Sequence, residues 1–581
     1  MKKVISLLSA IVIFSCSQNN NNFSLSDIWV GEPDSGFRKL KTIKAKNYMV
    51  SSGHELASQA GNEIIKKGGN AIDAVIATQL VLNVVEPHSS GIGGGAFIIF
   101  YNKKTGKTEF FNGRETAPAL AKNTMFLDKK GRPRKFLDAV KGGLSVGTPG
   151  VLKAMHDAHV KYGKLPWKDL FKPAIKVATN GYETTERYRK LSQTITYLKD
   201  FSATKETYLS PDGDPYKEGE IIKNPELAKT FKTLSNEGIS PFYDGSIGEK
   251  IVNNVKNSPH NTGYLRMGDL RNYKIKTGNL LCSKYRSKYN VCTMPNPSSG
   301  VTVLQTLGIL ENFNVNKLGQ NSLESVKLIA DATRLAYADR NEFLGDKTLV
   351  NLKKLIDKKY LKSKANLIKE GQKLENIKPG NFKKRYANLT YNKNAHETPS
   401  TTHMSVVDKE GNAVSMTSSI EYFFGSGITV DGFLLNNQMT DFSFLPYKNG
   451  KKVANAVVPG RQPRSSMSPT FVFDADNNLI LVVGSPGGPR IIQFVAKAII
   501  NYLDFGMDLQ KAISSPTFVV LNDIIELEKG QDIVKLQRPL ENMGYKTKII
   551  EIVSGIQAIA LKNNKLYGAS DPRREGVAIG N

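Results

Sequence analysis

Cysteine and tryptophan are scarce in this chain of 581 residues, with three Cys and two Trp. There is no C-x-x-C pair and no H-E-x-x-H, so neither the usual thiolate zinc cage nor a helix-borne zinc hydrolase site is written into the sequence. Beyond the first residues no apolar run is long enough for a transmembrane helix, and there is no internal repeat. Acidic residues are in deficit: 53 Asp and Glu stand against 80 Lys and Arg, a formal net charge of +27. Such an excess raises nucleic acid or an anionic surface as partners. The lysines form no long block and lie near many carboxylates, so they read as a lysine-rich surface, and no nucleic-acid partner is expected. Hydrophobic content of 40% and charged content of 23% are ordinary, and the length suffices for several domains or one large layered domain.

The opening "MKKVISLLSAIVIFSCSQNNNN" has a basic start, a short apolar core from Val4 to Phe14 and small residues ending at Cys16. That pattern predicts a lipoprotein-type signal peptide over 1–16, with Cys16 the residue that would carry a lipid anchor and plain secretion the alternative. Residues 17–46, with their asparagine run, read as tether and leader. The expected location is outside the cytoplasm, periplasmic or membrane-anchored, in a bacterium. Cys282 and Cys292 flank a turn near Ser287 in "LLCSKYRSKYNVCTMP". Two strand-like runs would set them opposite each other, and export favours a disulfide over two free thiols.

Helical spacing of Leu56, Ala60 and Ile64 predicts a helix ending at Gly68-Gly69. A second, from about Ala71 to Val85, is apolar nearly all round and therefore buried. "GIGGGAFIIFYNKKTGKTEFFNGRE" predicts two strands about a Lys-Thr-Gly turn. Residues 149–260 are mostly helical in pattern, and 324–346 form another helix. The polar, aperiodic stretch 378–400 is a loop. From Thr401 strands dominate, followed by a helix in "PRIIQFVAKAIINYLDFG".

Several stretches imitate functional motifs. "GIGGGAF" follows a helix and opens a strand, the reverse of a phosphate-binding loop, so its glycines are read as close backbone packing. "GLSVG" matches G-x-S-x-G around Ser145 but lacks the preceding strand and the immediate helix of a nucleophile elbow, so it reads as a turn and helix cap. His156 and His159 have no third metal ligand in view and read as a solvated helix face. Thr401 is different. A threonine hydroxyl needs a base, and its own α-amine, with an ordinary pKa of about 7.7–8.0, is suited to working pH. That amine exists only if the Ser400–Thr401 bond is cut. A flexible loop meeting a strand head tolerates such a cut; the bland alternative is an ordinary loop-to-strand junction.

The stretches "TTHMSVVDKEGNAVSMT", "LLNNQMTDFS", "RSSMSPT", "GSPGGPRII" and "LYGASDPR" follow in this order over 401–573, preceded by "GGNAIDAVIA", "GIGGGAF", "FNGRETAP", "GTPG" and "PNPSSGVTVLQTLGILE". Together they resemble γ-glutamyltranspeptidase from about Asn47 to Arg573. The resemblance implies an α/β fold, the αββα four-layer sandwich of the N-terminal-nucleophile hydrolases. It also implies a precursor that cuts itself before Thr401 into a large subunit (47–400) and a small one (401–581). It assigns Thr401 as nucleophile, Ser419 as the hydroxyl that orients it, and the N–H groups of Gly487 and Gly488 as the oxyanion hole. Arg114, with Ser465 and Ser466, would clamp a substrate α-carboxylate; Gln438 and Asp441, joined by Glu421, would hold the α-ammonium. The implied reaction is hydrolysis or transfer of a γ-glutamyl group from glutathione or a related small molecule to water or an amino acid, with no cofactor and no metal. Ser419 and Glu421 stand where the family usually has Thr and Asn, and segment 444–463, with Tyr447, is shorter than a full lid. The alternatives are a glutaryl-type acylase, a poly-γ-glutamate depolymerase on the same fold, or a non-catalytic binding lipoprotein.

Overall fold

The structure is a computed structural model that describes residues 32–383, 389–390 and 400–581. The expected signal peptide and residues 17–31 of the expected tether and leader lie outside the described residues, as does most of the loop expected over 378–400. Two seven-stranded antiparallel sheets form the centre. One runs in the order Val577–Gly580, Met49–Ser52, Thr402–Val407, Ala413–Ser419, Gly95–Asn102, Lys107–Gly113 and Lys276–Gly278. The other runs Ile43–Ala45, Lys565–Ser570, Gln557–Lys562, Leu479–Gly484, Thr470–Phe473, Tyr289–Thr293 and Leu281–Tyr285.

The layering follows from alternation along the strands, whose side chains point to opposite faces in turn. In Gly95–Asn102, Ala96, Ile98 and Phe100 join a core with the helices Glu55–Lys66 and Ala71–Val85. Phe97, Ile99 and Tyr101 instead join the core of the second sheet, where the Tyr101 and Phe473 rings meet edge-on at 5.2 Å. The outer face of that sheet is covered by the apolar helices Gly300–Leu310 and Ile491–Leu503. A strand buried on both faces cannot show a polar alternation, which is why Gly95–Asn102 reads as a continuous apolar run. The expected αββα order is present.

Local expectations hold where the chemistry is local. Ala71–Val85 is buried at every position and opens on an Asn70/Asp73 capping box. Leu281–Tyr285 and Tyr289–Thr293 pair with Cys282 opposite Cys292, and the two are bonded. Closing so short a loop is worth about 3 kcal/mol in the chain-entropy model. Gly94 shows why "GIGGGAF" is glycine-rich: a Cβ there would come within 2.3 Å of the Ser419 carbonyl oxygen. His159 directs its ring at the Leu165 carbonyl, 2.9 Å away, and packs on Trp167. This helix face is half-buried packing, not the solvated face expected.

Candidate active site

Antiparallel register builds the centre of the site. Thr402 pairs with Ser418 across Thr402–Val407 and Ala413–Ser419, so the preceding Thr401 falls opposite Ser419. The Thr401 Oγ1 hydroxyl donates to Ser419 Oγ at 3.0 Å, and the same oxygen accepts the Glu421 N–H at 2.9 Å. Both flanking residues are conformationally unusual: Thr401 has φ +97° and Glu421 φ +81°. A β-branched residue at positive φ is strained by about 1–3 kcal/mol and persists only where its surroundings fix it.

The second sheet contributes the facing loop. Leu479–Gly484 ends at Ser485-Pro486-Gly487-Gly488, where Gly487 takes φ +125° and its N–H lies 3.4 Å from the Ser400 carbonyl oxygen. A side chain at Gly487 would strike the Phe494 ring at 2.6 Å. On the other side of the bond, Arg574 Nη1 donates to the Thr401 carbonyl at 3.0 Å. Donors thus hold the Ser400 carbonyl within the Ser400–Thr401 peptide and the Thr401 carbonyl just beyond it.

Thr401, Ser419, Glu421, Gly488, Arg114, Gln438, Asp441, Ser465 and Ser466 line one cleft, with Met467 and Ile491 as apolar wall. Gly487 sits one residue behind it. Arg114 follows the strand Lys107–Gly113 and is 1% exposed. Its guanidinium donates to Asp441 Oδ2 at 2.5 Å and to the carbonyls of Pro463 and Arg464 at 3.3 and 3.0 Å. Gln438 Nε2 donates to the same Asp441 oxygen at 2.6 Å. The groups expected to hold a carboxylate and an ammonium therefore pair with each other across the cleft. Glu421 accepts from Asn437 Nδ2 and, at 3.4 Å, from Thr440 Oγ1.

Some of the shell was not anticipated. Arg340, on the helix Leu323–Phe343, donates to Ser466 Oγ at 2.8 Å and to Ser299 Oγ at 2.9 Å. Glu115 is buried beside Arg114, 3.5 Å from its Nη1, with no hydrogen-bond partner among the described residues. Burial pushes its carboxyl up to about 8 against the pull of Arg114. His403 fills the space over Gly484 between the sheets, bonded to Thr417 Oγ1 at 2.8 Å, and burial holds it down at about 3. Ser145 lies outside the cleft, its hydroxyl donating to the carbonyls of Val140 and Gly142 at 2.5 and 3.0 Å. Segment 444–463 contains a hairpin, Tyr447–Lys448 with Lys451–Val453, rooted next to Asp441 through the Asn455 Nδ2 bond to the Asp441 carbonyl at 2.8 Å; Tyr447 is 55% exposed.

The family model for γ-glutamyltranspeptidase matches residues 57–581. The chain belongs to the γ-glutamyltranspeptidase family. A glutathione hydrolase proenzyme of Bacillus subtilis is 37% identical over 574 residues, covering 94% of each chain. Among solved structures, Helicobacter pylori γ-glutamyltranspeptidase is 33% identical with TM-score 0.54, covering 59% of this chain and 97% of that one. A cephalosporin acylase from Bacillus halodurans is 25% identical with TM-score 0.80, covering 94% of this chain and 97% of that one. Residues from "NGRE", "NNQMTD" and "RSSM", the stretches on which the resemblance rests, converge on one cleft.

Proposed function

We propose that this chain is a γ-glutamyl hydrolase and transferase that matures by cutting itself between Ser400 and Thr401. The observation that carries the reading is the grip on that peptide: Thr401 Oγ1 against Ser419, the Ser400 carbonyl toward the Gly487 N–H, and positive φ at Thr401. Attack of Oγ1 on the Ser400 carbonyl carbon breaks the amide C–N bond and leaves an ester. Water then splits the ester, giving a Ser400 carboxylate and a free Thr401 amine. Once the amide is gone, the strain at Thr401 has no backbone link to sustain it.

In turnover the neutral amine takes the Oγ1 proton as Oγ1 attacks the γ-amide carbonyl. The developing oxyanion is met by the N–H groups of Gly487 and Gly488. The amine returns the proton to the leaving nitrogen, a γ-glutamyl ester forms, and water or an amino acid takes the acyl group. Removing one oxyanion donor from such a hole costs about 10²–10³ in rate. The donor's α-carboxylate takes Arg114, Ser465 and Ser466, and its α-ammonium takes Asp441, Gln438 and Glu421. A zwitterionic head replaces the Arg114–Asp441 pair with two pairs of its own, so no charge is left buried alone. Glutathione and related γ-glutamyl compounds are the proposed donors, and residues up to 400 and from 401 the two subunits. Export, with Cys16 as anchor, is proposed on the leader's pattern and agrees with the Cys282–Cys292 disulfide.

Purified protein run on a denaturing gel tests the reading. Two bands are expected, the smaller beginning Thr-Thr-His, with release of the free aniline from a γ-glutamyl anilide. A single full-length band with no turnover would favour a binding protein.

A further inference from the structure

Residues Glu32 to Arg38 precede the first strand and lie along the stretch 572–576. Backbone N–H groups of Ser35 and Arg38 donate to the carbonyls of Arg573 and Pro572 at 3.1 and 3.0 Å. Arg38 Nη2 adds bonds to the Arg574 carbonyl, at 2.5 Å, and to that of Gly576. This strap delivers Glu32, 2% exposed, between two buried guanidiniums. Its Oε1 accepts from Arg187 Nη2 at 2.5 Å and is ion-paired with Arg574 Nη2.

Each arginine then reaches one side of the Ser400–Thr401 peptide. Arg574 holds the Thr401 carbonyl at 3.0 Å. Arg187 Nη1 lies 2.7 Å from His88 Nε2, and the His88 carbonyl accepts from Ser400 Oγ at 3.0 Å. Two like charges converge on one carboxylate oxygen. Without that oxygen they repel, and the carboxylates left to Arg187 stand farther off, Glu86 at 3.5 Å and Glu575 at 3.9 Å.

We propose that Glu32 is a positioning residue for the nucleophile: it anchors Arg574 and Arg187, and through them both sides of the Ser400–Thr401 junction. The assignment rests on Thr401 being the nucleophile, and it makes the N-terminal strap part of the reaction centre. Self-cleavage and turnover both use Thr401 Oγ1, so both depend on Glu32.

The test compares wild type, Glu32→Gln, Arg574→Lys and the double variant as full-length chains. Self-cleavage is followed by gel, and kcat and KM are measured with a γ-glutamyl anilide. Glu32→Gln is expected to slow cleavage and lower kcat by about 10- to 100-fold, the scale of a misplaced reacting group, with KM near wild type; the melting temperature should fall, because two buried guanidiniums lose their shared counter-charge, so rates are compared well below it. The double variant should lose no more than the worse single one, because both changes break the same contact. Glu32→Asp, which keeps the charge, should recover part of the loss, and its behaviour decides the matter if the Gln form does not fold. Unchanged kcat, losses that simply multiply, or a rise in KM alone would overturn the assignment. A wild type that neither cleaves nor turns over would overturn the Thr401 reading beneath it.

Discussion

Ser145 and Thr401 are both buried hydroxyl residues beside a break in regular structure, and each sits in a stretch that matches a nucleophile pattern. Ser145 spends its proton on two backbone carbonyls of its own turn. Thr401 points at another hydroxyl, opens on a cleft, and carries a backbone angle that its own side chain disfavours. The difference lies in what surrounds each oxygen. A turn satisfies its hydroxyl locally, as serine does in many caps. A reaction centre leaves the hydroxyl next to space and fixes it from several distant parts of the chain, here residues 419, 487 and 574.

The comparison breaks most sharply at Thr401 itself. Thr401→Ala should remain a single full-length band and lose activity by on the order of 10³-fold or more. Normal cleavage of that variant would assign the cut to another protease. Next in size is Arg114→Lys. An ammonium cannot reproduce a guanidinium fork that donates to Asp441 and two carbonyls at once. A fall of about 10²-fold in kcat/KM for a γ-glutamyl anilide is expected, and a loss below about threefold would remove Arg114 from the head-group site.

Donor choice sharpens the contrast between the two ends of the cleft. A glutaryl anilide keeps the carboxylate for Arg114 but brings no ammonium to Asp441 and Glu421, so the charge pairing of those carboxylates with the donor is lost. A hydrogen bond to a charged group is worth about 1.5–3 kcal/mol, so kcat/KM should fall about 10- to 100-fold against the γ-glutamyl anilide. Equal values would favour an acylase, in keeping with the likeness to the cephalosporin acylase. Glu115 gives a smaller, pH-dependent effect. Its carboxyl titrates near 8 in the fold, against 4.5 as an ordinary glutamate. Between those values the folded chain keeps a proton that the unfolded chain has lost, so stability falls as pH rises through that window. Glu115→Gln should remove up to about 1.4 kcal/mol per pH unit of that slope in denaturant titrations. An unaltered slope would mean that Glu115 ionises normally.

What the sequence made legible was whatever depends on neighbours in the chain or on a motif's chemistry. The Cys282–Cys292 pair sits across one hairpin, and the Ala71–Val85 helix declares itself by apolar residues on all sides. Arg114, Asp441 and Ser466 could be named because each lies in a distinctive stretch, yet the pairing of Arg114 with Asp441 was invisible until the fold brought positions 114 and 441 together. Arg340 carried no signal at all, since a helical arginine looks solvated by composition, yet here it is buried and donates to Ser299 and Ser466. Glu32 was hidden for the same reason: its partners stand at 187 and 574, and no local pattern links them.

The smallest expected effect closes the comparison from the other side. Ser145→Ala removes a hydroxyl that donates to Val140 and Gly142, leaving those carbonyls to their remaining partners. The site is fully buried, so water cannot replace the lost donor easily, and stability should fall by about 1 kcal/mol. Chemistry should not follow it. Ser145 shares no bond with Thr401, Ser419 or the glycine loop; its turn packs beside Gln438–Asp441, but its hydroxyl is directed at Val140 and Gly142 instead. Self-cleavage should therefore run at the wild-type rate, and kcat/KM should stay within about twofold when measured well below the melting temperature. A tenfold loss of kcat with normal folding would give "GLSVG" a role in the reaction and end the contrast between the two hydroxyls.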